Sequence, residues 1–297
     1  MPIPRKECII VAGPTASGKT ALAIRLAQTF KTAIISADSR QCYREMRIGV
    51  ARPTPEELSA APHYFIANHS ITEQINAASF AREAKAYLDQ IFQDNDKAIV
   101  CGGTGLYIKA LTEGLDEIPE IPAETRTQVI NLHRDQGMLG LQDALLKLDP
   151  LFGDKGDINN PNRVMRALEV ALHTGMPISH FQLGGGQQKI NGTLNYHFSY
   201  QILDLPREEL YQRINLRVDN MVTAGLEDEV RSLIAHRDLP ALRTVGYQEF
   251  FDYFDGLISK EEAIGKIKQH TRNYAKRQMT WFKKVKAGLA PDQQFSF

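Results

Sequence analysis

The chain has 297 residues, 43% of them apolar, and its thirty-five lysines and arginines offset thirty-five aspartates and glutamates. That balance describes a globular fold with material for one large core or two smaller ones, and the overall charge announces no nucleic-acid partner. Cys8, Cys42 and Cys101 are far apart and form no paired ligand spacing, which argues against a disulfide framework or a zinc site and leads us to expect a reducing, cytoplasmic setting.

The first predicted strand, over 9–12, follows Arg5 and Lys6 so closely that neither an export signal nor a membrane span is expected. It runs straight into Gly13-Pro14-Thr15-Ala16-Ser17-Gly18-Lys19-Thr20, and Leu22, Leu26 and Phe30 then recur every fourth residue as one helical stripe. A glycine-rich turn between a buried strand and a helix is a phosphate cradle. Gly13 and Gly18 let consecutive N–H groups and the helix N-terminus converge on an oxyanion, Lys19 neutralises its outer oxygens, and Thr20 is placed to ligate Mg²⁺. The motif identifies a phosphorylated ligand, not a reaction.

A second strand over 33–37 leads to Asp38-Ser39-Arg40-Gln41. In a doubly wound sheet the carboxyl end of that strand lies beside the phosphate site. Asp38 could ligate Mg²⁺ through water, cap a turn or remove a proton, and the residues alone favour the cap. A helix follows over 77–92 with Phe80, Ala84, Leu88 and Ile91 inward, then a third strand over 98–101 ending in Cys101-Gly102-Gly103-Thr104-Gly105. An ATPase would place a carboxylate at this strand end, and none is present. Short strands alternating with helices imply an α/β fold with a parallel sheet, flanked by helices, of P-loop NTPase type.

The pattern changes between 117 and 150, where prolines 119 and 122 and glycines 137 and 140 suggest an inserted lobe of short helices built on Val129, Leu132, Leu141, Leu145 and Leu148. The α/β core is expected over 1–116 and 151–206, with a helix over 163–173, a surface loop at Gly184-Gly185-Gly186 and a last strand over 197–205. Residues 207–297 read as a helical C-terminal region, with Asp255-Gly256 closing one helix and Ser259 and Glu262 forming a capping box for the last. Eight lysines or arginines and no carboxylate lie between 266 and 286. On a helical projection Ile267, Tyr274, Trp281 and Val285 form an apolar stripe assigned to the core, while Lys268, Arg272, Lys276, Lys283 and Lys286 gather on another face, either solvated or bound to nucleic acid.

Six blocks in order carry a resemblance: Ser36-Ala37-Asp38-Ser39-Arg40-Gln41-Cys42-Tyr43-Arg44, Ile48-Gly49-Val50-Ala51-Arg52-Pro53-Thr54, Gly102-Gly103-Thr104-Gly105-Leu106-Tyr107, Arg163-Val164-Met165-Arg166-Ala167-Leu168-Glu169-Val170, Thr244-Val245-Gly246-Tyr247 and Tyr274-Ala275-Lys276-Arg277-Gln278-Met279-Thr280-Trp281-Phe282. Together with the phosphate loop they resemble the tRNA dimethylallyltransferases, also called tRNA isopentenyltransferases. The resemblance implies transfer of a dimethylallyl group from dimethylallyl diphosphate to N6 of the adenosine on the 3′ side of the anticodon, with release of diphosphate. It implies that residues 13–20 with Mg²⁺ on Thr20 hold the diphosphate, that Asp38 is the general base, that Thr104 contacts the target nucleotide and that Arg217 reaches the diphosphate. Contacts to the tRNA anticodon stem-loop are implied for Asp38, Ser39, Arg40, Gln41, Thr104, Arg126, Asn162, Arg163, Arg166, Thr244, Gly246, Tyr247, Lys268, Arg272, Lys276 and Arg277. A monomer without membrane attachment is expected.

Two departures stand out: the family's His-Pro-Asn-Asp stretch reads Asp157-Ile158-Asn159-Asn160 here, and a paired-histidine feature reads His63-Tyr64. Three rivals remain at this stage. A P-loop small-molecule kinase would bind ATP, an adenylate isopentenyltransferase would act on free nucleotides and need no basic C-terminal surface, and a non-enzymatic RNA-binding module would not need an intact phosphate loop.

Overall fold

The computed structural model describes residues 6–116, 118–155, 157–181 and 196–295. The chain divides into two compact units, one of residues 1–113 with 193–297 and one of residues 114–192. The first begins with β1 (Lys6–Ala12), α1 (Lys19–Phe30), β2 (Ile34–Ala37), α2 (Pro55–Ala60), β3 (His63–Tyr64), α3 (Ala77–Asp94), β4 (Lys97–Gly102) and α4 (Gly105–Thr112). The second contains α5 (Ala123–Leu148), α6 (Pro150–Lys155), α7 (Pro161–Thr174) and α8 (Ile178–His180). The first unit then resumes with β5 (Tyr196–Ile202), α9 (Arg207–Thr223), α10 (Leu226–Ser232), α11 (Gln248–Phe254) and α12 (Lys260–Gly288).

All five strands are parallel, in the order β3-β2-β4-β1-β5. Cys8, Ile9, Ile10, Val11 and Ala12 are fully buried, because a parallel strand covered on both faces needs an unbroken apolar run rather than alternation. Ile9, Val11 and Ile99 pack with Ala23, Leu26 and Ala27 of α1. The inward residues expected of α3, Phe80, Ala84, Leu88 and Ile91, are all buried, and Phe80 stacks on Tyr107 of α4 with ring centroids 4.5 Å apart. At the β2–β4 edge a Cβ on Gly102 would meet the Ala37 carbonyl oxygen at 2.1 Å, so only glycine lets the two backbones close. The carboxyl ends of β1, β2 and β4 lead into Gly13, Asp38 and Gly103, which gathers the three motif loops at one edge of the sheet.

The helical unit is wider than the 117–150 lobe read from the sequence. Val164, Ala167 and Leu168 of α7 bury against Val129, Leu141 and Leu145 of α5, with Phe152 and Phe181 in the same cluster, so residues 161–174 belong here and not to the α/β core. α5 breaks at Gly137, whose φ of 65° and ψ of −159° are open to glycine, whereas Gly140 stays helical. Asp149 is completely buried and satisfied, accepting from the Phe152 and Ser179 N–H groups and from the Ser179 hydroxyl. Asn160 takes over the N-cap of α7 by accepting from the Arg163 N–H at 3.3 Å, so the departure from an aspartate there keeps the cap and drops its charge. The Gly184-Gly185-Gly186 stretch lies outside the described residues. Among the described residues no helix is long and apolar enough to cross a membrane.

Candidate active site

Gly13 and Gly18 adopt φ of 146° and 90°, and a Cβ on Gly13 would stand 2.7 Å from the Leu203 carbonyl oxygen, so the bend of the phosphate loop depends on both glycines. Ala16 joins them with a φ of 63°. Lys19 folds back so that Nζ donates to the Pro14 carbonyl at 2.6 Å. Burial, with Arg217 adding to it, lowers the Lys19 ammonium pKa to about 8. Ser17 Oγ is buried and has no hydrogen-bond partner among the described residues, an arrangement expected of a group whose partner is a ligand.

The loop lines a cavity of about 230 Å³ together with Asp38, Gln41, Glu57, Arg217, Tyr274 and Gln278. A second cavity of about 220 Å³ shares Thr15, Asp38, Val50, Ala51, Arg217 and Tyr274 with it and adds Val218, Met221, Val245 and Ile267. A chamber lined by the phosphate loop, Lys19 and Arg217 thus adjoins one with more apolar walls, which suits a ligand that is anionic at one end and hydrocarbon at the other.

Asp38 both caps and lines. Its Oδ1 accepts from the Arg40 and Gln41 N–H groups at 2.9 and 3.2 Å, the Asx turn favoured by the sequence alone, and this fixes a carboxylate that borders both cavities. Thr104 Oγ1 accepts from the Ser39 N–H at 3.1 Å, with the Tyr274 phenol close by. Arg217, on α9, donates to Thr15 Oγ1 at 3.3 Å and faces both cavities. Ser39 and Arg40 line the apolar cavity, as do Thr244 and Gly246. Gln41 is spent internally, its amide tying the carbonyls of Val50 and Ala51 at 3.3 and 3.0 Å.

The wall formed by residues 47–52 is held by groups that the sequence reading missed. The Glu229 carboxylate, on α10, accepts from the N–H groups of Arg47, Ile48 and Gly49 at 3.0, 2.7 and 3.0 Å and from the Tyr247 hydroxyl at 2.6 Å. A Cβ on Gly49 would meet the Tyr247 ring at 2.6 Å. Tyr247 is therefore fully buried, and it braces the loop that bears Val50 and Ala51. Glu249, 3% exposed, accepts from the Gly246 N–H and from His270 Nδ1, holding the turn at Gly246 in its φ of 97°. Nothing periodic marks Glu229 in the chain. Glu249 sits in a plain amphipathic turn.

α12 opens with the expected capping box, Ser259 Oγ accepting from the Glu262 N–H and Glu262 from the Ser259 N–H. Its buried line is Ala263, Ile267, Ala275, Gln278 and Phe282, so the assignment of Tyr274 and Trp281 to the core is corrected. Tyr274 borders both cavities, with burial pushing its phenol up to about 12, and Trp281 is half-buried over Gly105. Gln278 displaces them because both ends of its amide find partners, Oε1 accepting from the Thr15 N–H at 2.8 Å and Nε2 donating to the Gly103 carbonyl at 2.9 Å. A glutamine at the phase of a buried helical position was the one signal available in the sequence. The basic face also divides. Lys268 pairs with Asp219 at 2.6 Å and Arg272 donates to Asn215 at 2.7 Å, whereas Lys276, Arg277, Lys283 and Lys286 are exposed. Arg126, Asn162, Arg163 and Arg166 all belong to the helical unit, Asn162 and Arg163 exposed and Arg166 paired with Glu169 at 3.6 Å.

Residues 41–285 match the family model described as IPP transferase. The tRNA dimethylallyltransferase of Cytophaga hutchinsonii is 47% identical over 279 residues, which is 94% of this chain and 90% of that protein. The full-length tRNA isopentenylpyrophosphate transferase of Bacillus halodurans superposes with a TM-score of 0.65 at 33% identity, covering 98% of this chain and 89% of that one. A eukaryotic dimethylallyltransferase acting on tRNA superposes with a TM-score of 0.75 at 26% identity, covering 93% and 69%. A phosphate loop without a carboxylate at the end of β4, set beside Asp38 and matched across most of the chain, places this protein in the IPP transferase family.

Proposed function

We propose that the protein transfers a dimethylallyl group from dimethylallyl diphosphate to N6 of the adenosine 3′-adjacent to the anticodon of tRNA. The observation that carries this reading is the joining of the amide-lined chamber to the apolar one across Asp38 and Arg217. In the reaction N6 attacks the allylic carbon, the carbon–oxygen bond breaks, diphosphate leaves and the N6 proton passes to Asp38. The charge that builds on the leaving oxygens meets the loop N–H groups, Lys19 and Arg217, all fixed before the reaction begins. Asp38 reaches the acceptor nitrogen from a turn locked by its own Oδ1, so it need not reorganise as it takes the proton. The Ser39–Thr104 hydrogen bond and the nearby Tyr274 phenol form the acceptor side, where an extruded base would dock.

Among the described residues no group of three or more His, Cys, Asp or Glu side chains is arranged to hold a metal. The loop instead offers the Thr20 hydroxyl and the orphan Ser17 Oγ, both lining this cavity, as oxygen donors that would suit Mg²⁺. Mg²⁺ bound there supplies positive charge to the departing diphosphate. Exposed Lys276, Arg277, Lys283 and Lys286 offer cations to the anticodon stem, a surface that a free mononucleotide does not require.

Mass spectrometry of nucleosides from an anticodon stem-loop incubated with isotope-labelled dimethylallyl diphosphate tests the reading. Labelled N6-prenyl adenosine is the expected product. Label confined to AMP would favour an adenylate prenyltransferase, and phosphate passing from ATP to a small molecule would favour a kinase.

A further inference from the structure

Residues 13–20 and the turn at 103–104 approach the cavity from two strand ends, β1 and β4, and one side chain touches both. Gln278 is 6% exposed, and its carboxamide spans from the Thr15 N–H to the Gly103 carbonyl. A buried primary amide is costly unless both ends are matched, and an apolar side chain would fill the same place on α12 without that risk. The match extends to the backbone opposite: a Cβ on Gly103 would lie 2.2 Å from Gln278 Nε2. One helical turn earlier on the same face, the Tyr274 phenol lies close to Thr104. α12 therefore grips the donor loop at Thr15 and the acceptor turn at Gly103.

We propose that Gln278 is a positioning residue for group transfer, setting the separation between the diphosphate held by residues 13–20 and the base docked at Thr104. The proposal rests on the prenyl-transfer reading above. Because the Thr15 amide is given to Gln278, anchorage of the loop is separated from the later amides that face the anion. Losing the bridge lets loop and turn drift apart while each still binds its substrate, and drift of that order in a reacting pair costs up to about a hundredfold in rate.

The test compares wild type, Gln278→Met, Gly103→Ala and the double variant in single-turnover transfer to an anticodon stem-loop, with donor and RNA affinities measured separately and folding checked by thermal melting. Gln278→Met keeps the length and removes both hydrogen bonds. Gly103→Ala leaves Gln278 in the chain but evicts its amide. Each single variant should lose on the order of tenfold to a hundredfold in the transfer rate, with both dissociation constants within about threefold of wild type, and the double variant should be no slower than the slower single one. A folded Gln278→Met protein that transfers within threefold of wild type overturns the proposal. So does a loss seen only in RNA affinity, or rate losses in the two variants that simply multiply. Failure of the wild type itself to prenylate the stem-loop would instead strike the functional reading beneath.

Discussion

One wall of the cavity is eight consecutive residues, 13–20, whose shape follows from glycines at 13 and 18; the facing wall, residues 47–52, hangs on a carboxylate 182 positions further along the chain. The first is specified locally, because positive φ and close backbone approach are properties of the residues themselves. The second has no such autonomy: three successive N–H groups and a buried phenol converge on Glu229, and without it the segment that carries Val50 and Ala51 keeps only the Gln41 amide as its side-chain tie. The near wall is thus vulnerable to changes within the motif, and the far wall to a change outside any motif.

The contrast is tested most severely at its centre. Asp38→Asn retains an oxygen to cap the turn at Arg40 and Gln41 but cannot take a proton, so turnover should fall by about 10²–10⁴-fold while stem-loop affinity stays within a few-fold; lost affinity with normal turnover would remove Asp38 from the role of base. Next, Glu229→Ala should cost about 1.5–3 kcal/mol of stability, since its hydrogen bonds are made to a charged acceptor, and should raise the donor KM although Glu229 lines neither cavity. Denaturant melts with donor titrations check both, and an unchanged donor KM would mean that the far wall stands without its clamp. At the near wall, the proposed grip on diphosphate needs Lys19 protonated, and its pKa is already lowered to about 8. Donor affinity should therefore hold below that pH and weaken as pH rises through it, by up to about tenfold per unit. Lys19→Arg should flatten that profile, because a guanidinium stays charged. The smallest effect separates the two sets of α12 cations. Neutralising Lys276, Lys283 and Lys286 should reduce the salt dependence of stem-loop binding by about 0.7–0.9 in log–log slope per lost phosphate contact, whereas neutralising Lys268 and Arg272, already engaged with Asp219 and Asn215, should change it less. Equal slopes for both variants would dissolve the distinction.

Much of this architecture was readable along the chain. The β1 run, the phosphate loop, the inward face of α3, the capping box of α12 and the absent carboxylate after β4 all depend on near neighbours, and each lies where the residues indicated. What the pattern misjudged had long-range causes. Tyr274 and Trp281 share a helical stripe with Ile267, but the stripe that is buried lies one step round, because Gln278 finds Thr15 and Gly103. α7 reads as part of the α/β core, yet Val164 and Leu168 find their apolar partners on α5.

By itself the sequence determined the glycine-bent loop of residues 13–20 and set Asp38 beside it, because backbone bends, strand burial and helix caps are decided within a few residues. Only the tertiary structure decided what holds the rest of the cleft, since the pairing of Glu229 with residues 47–49, and of Gln278 with Thr15 and Gly103, forms only when folding brings together groups far apart in the chain and shields them, wholly or in part, from water.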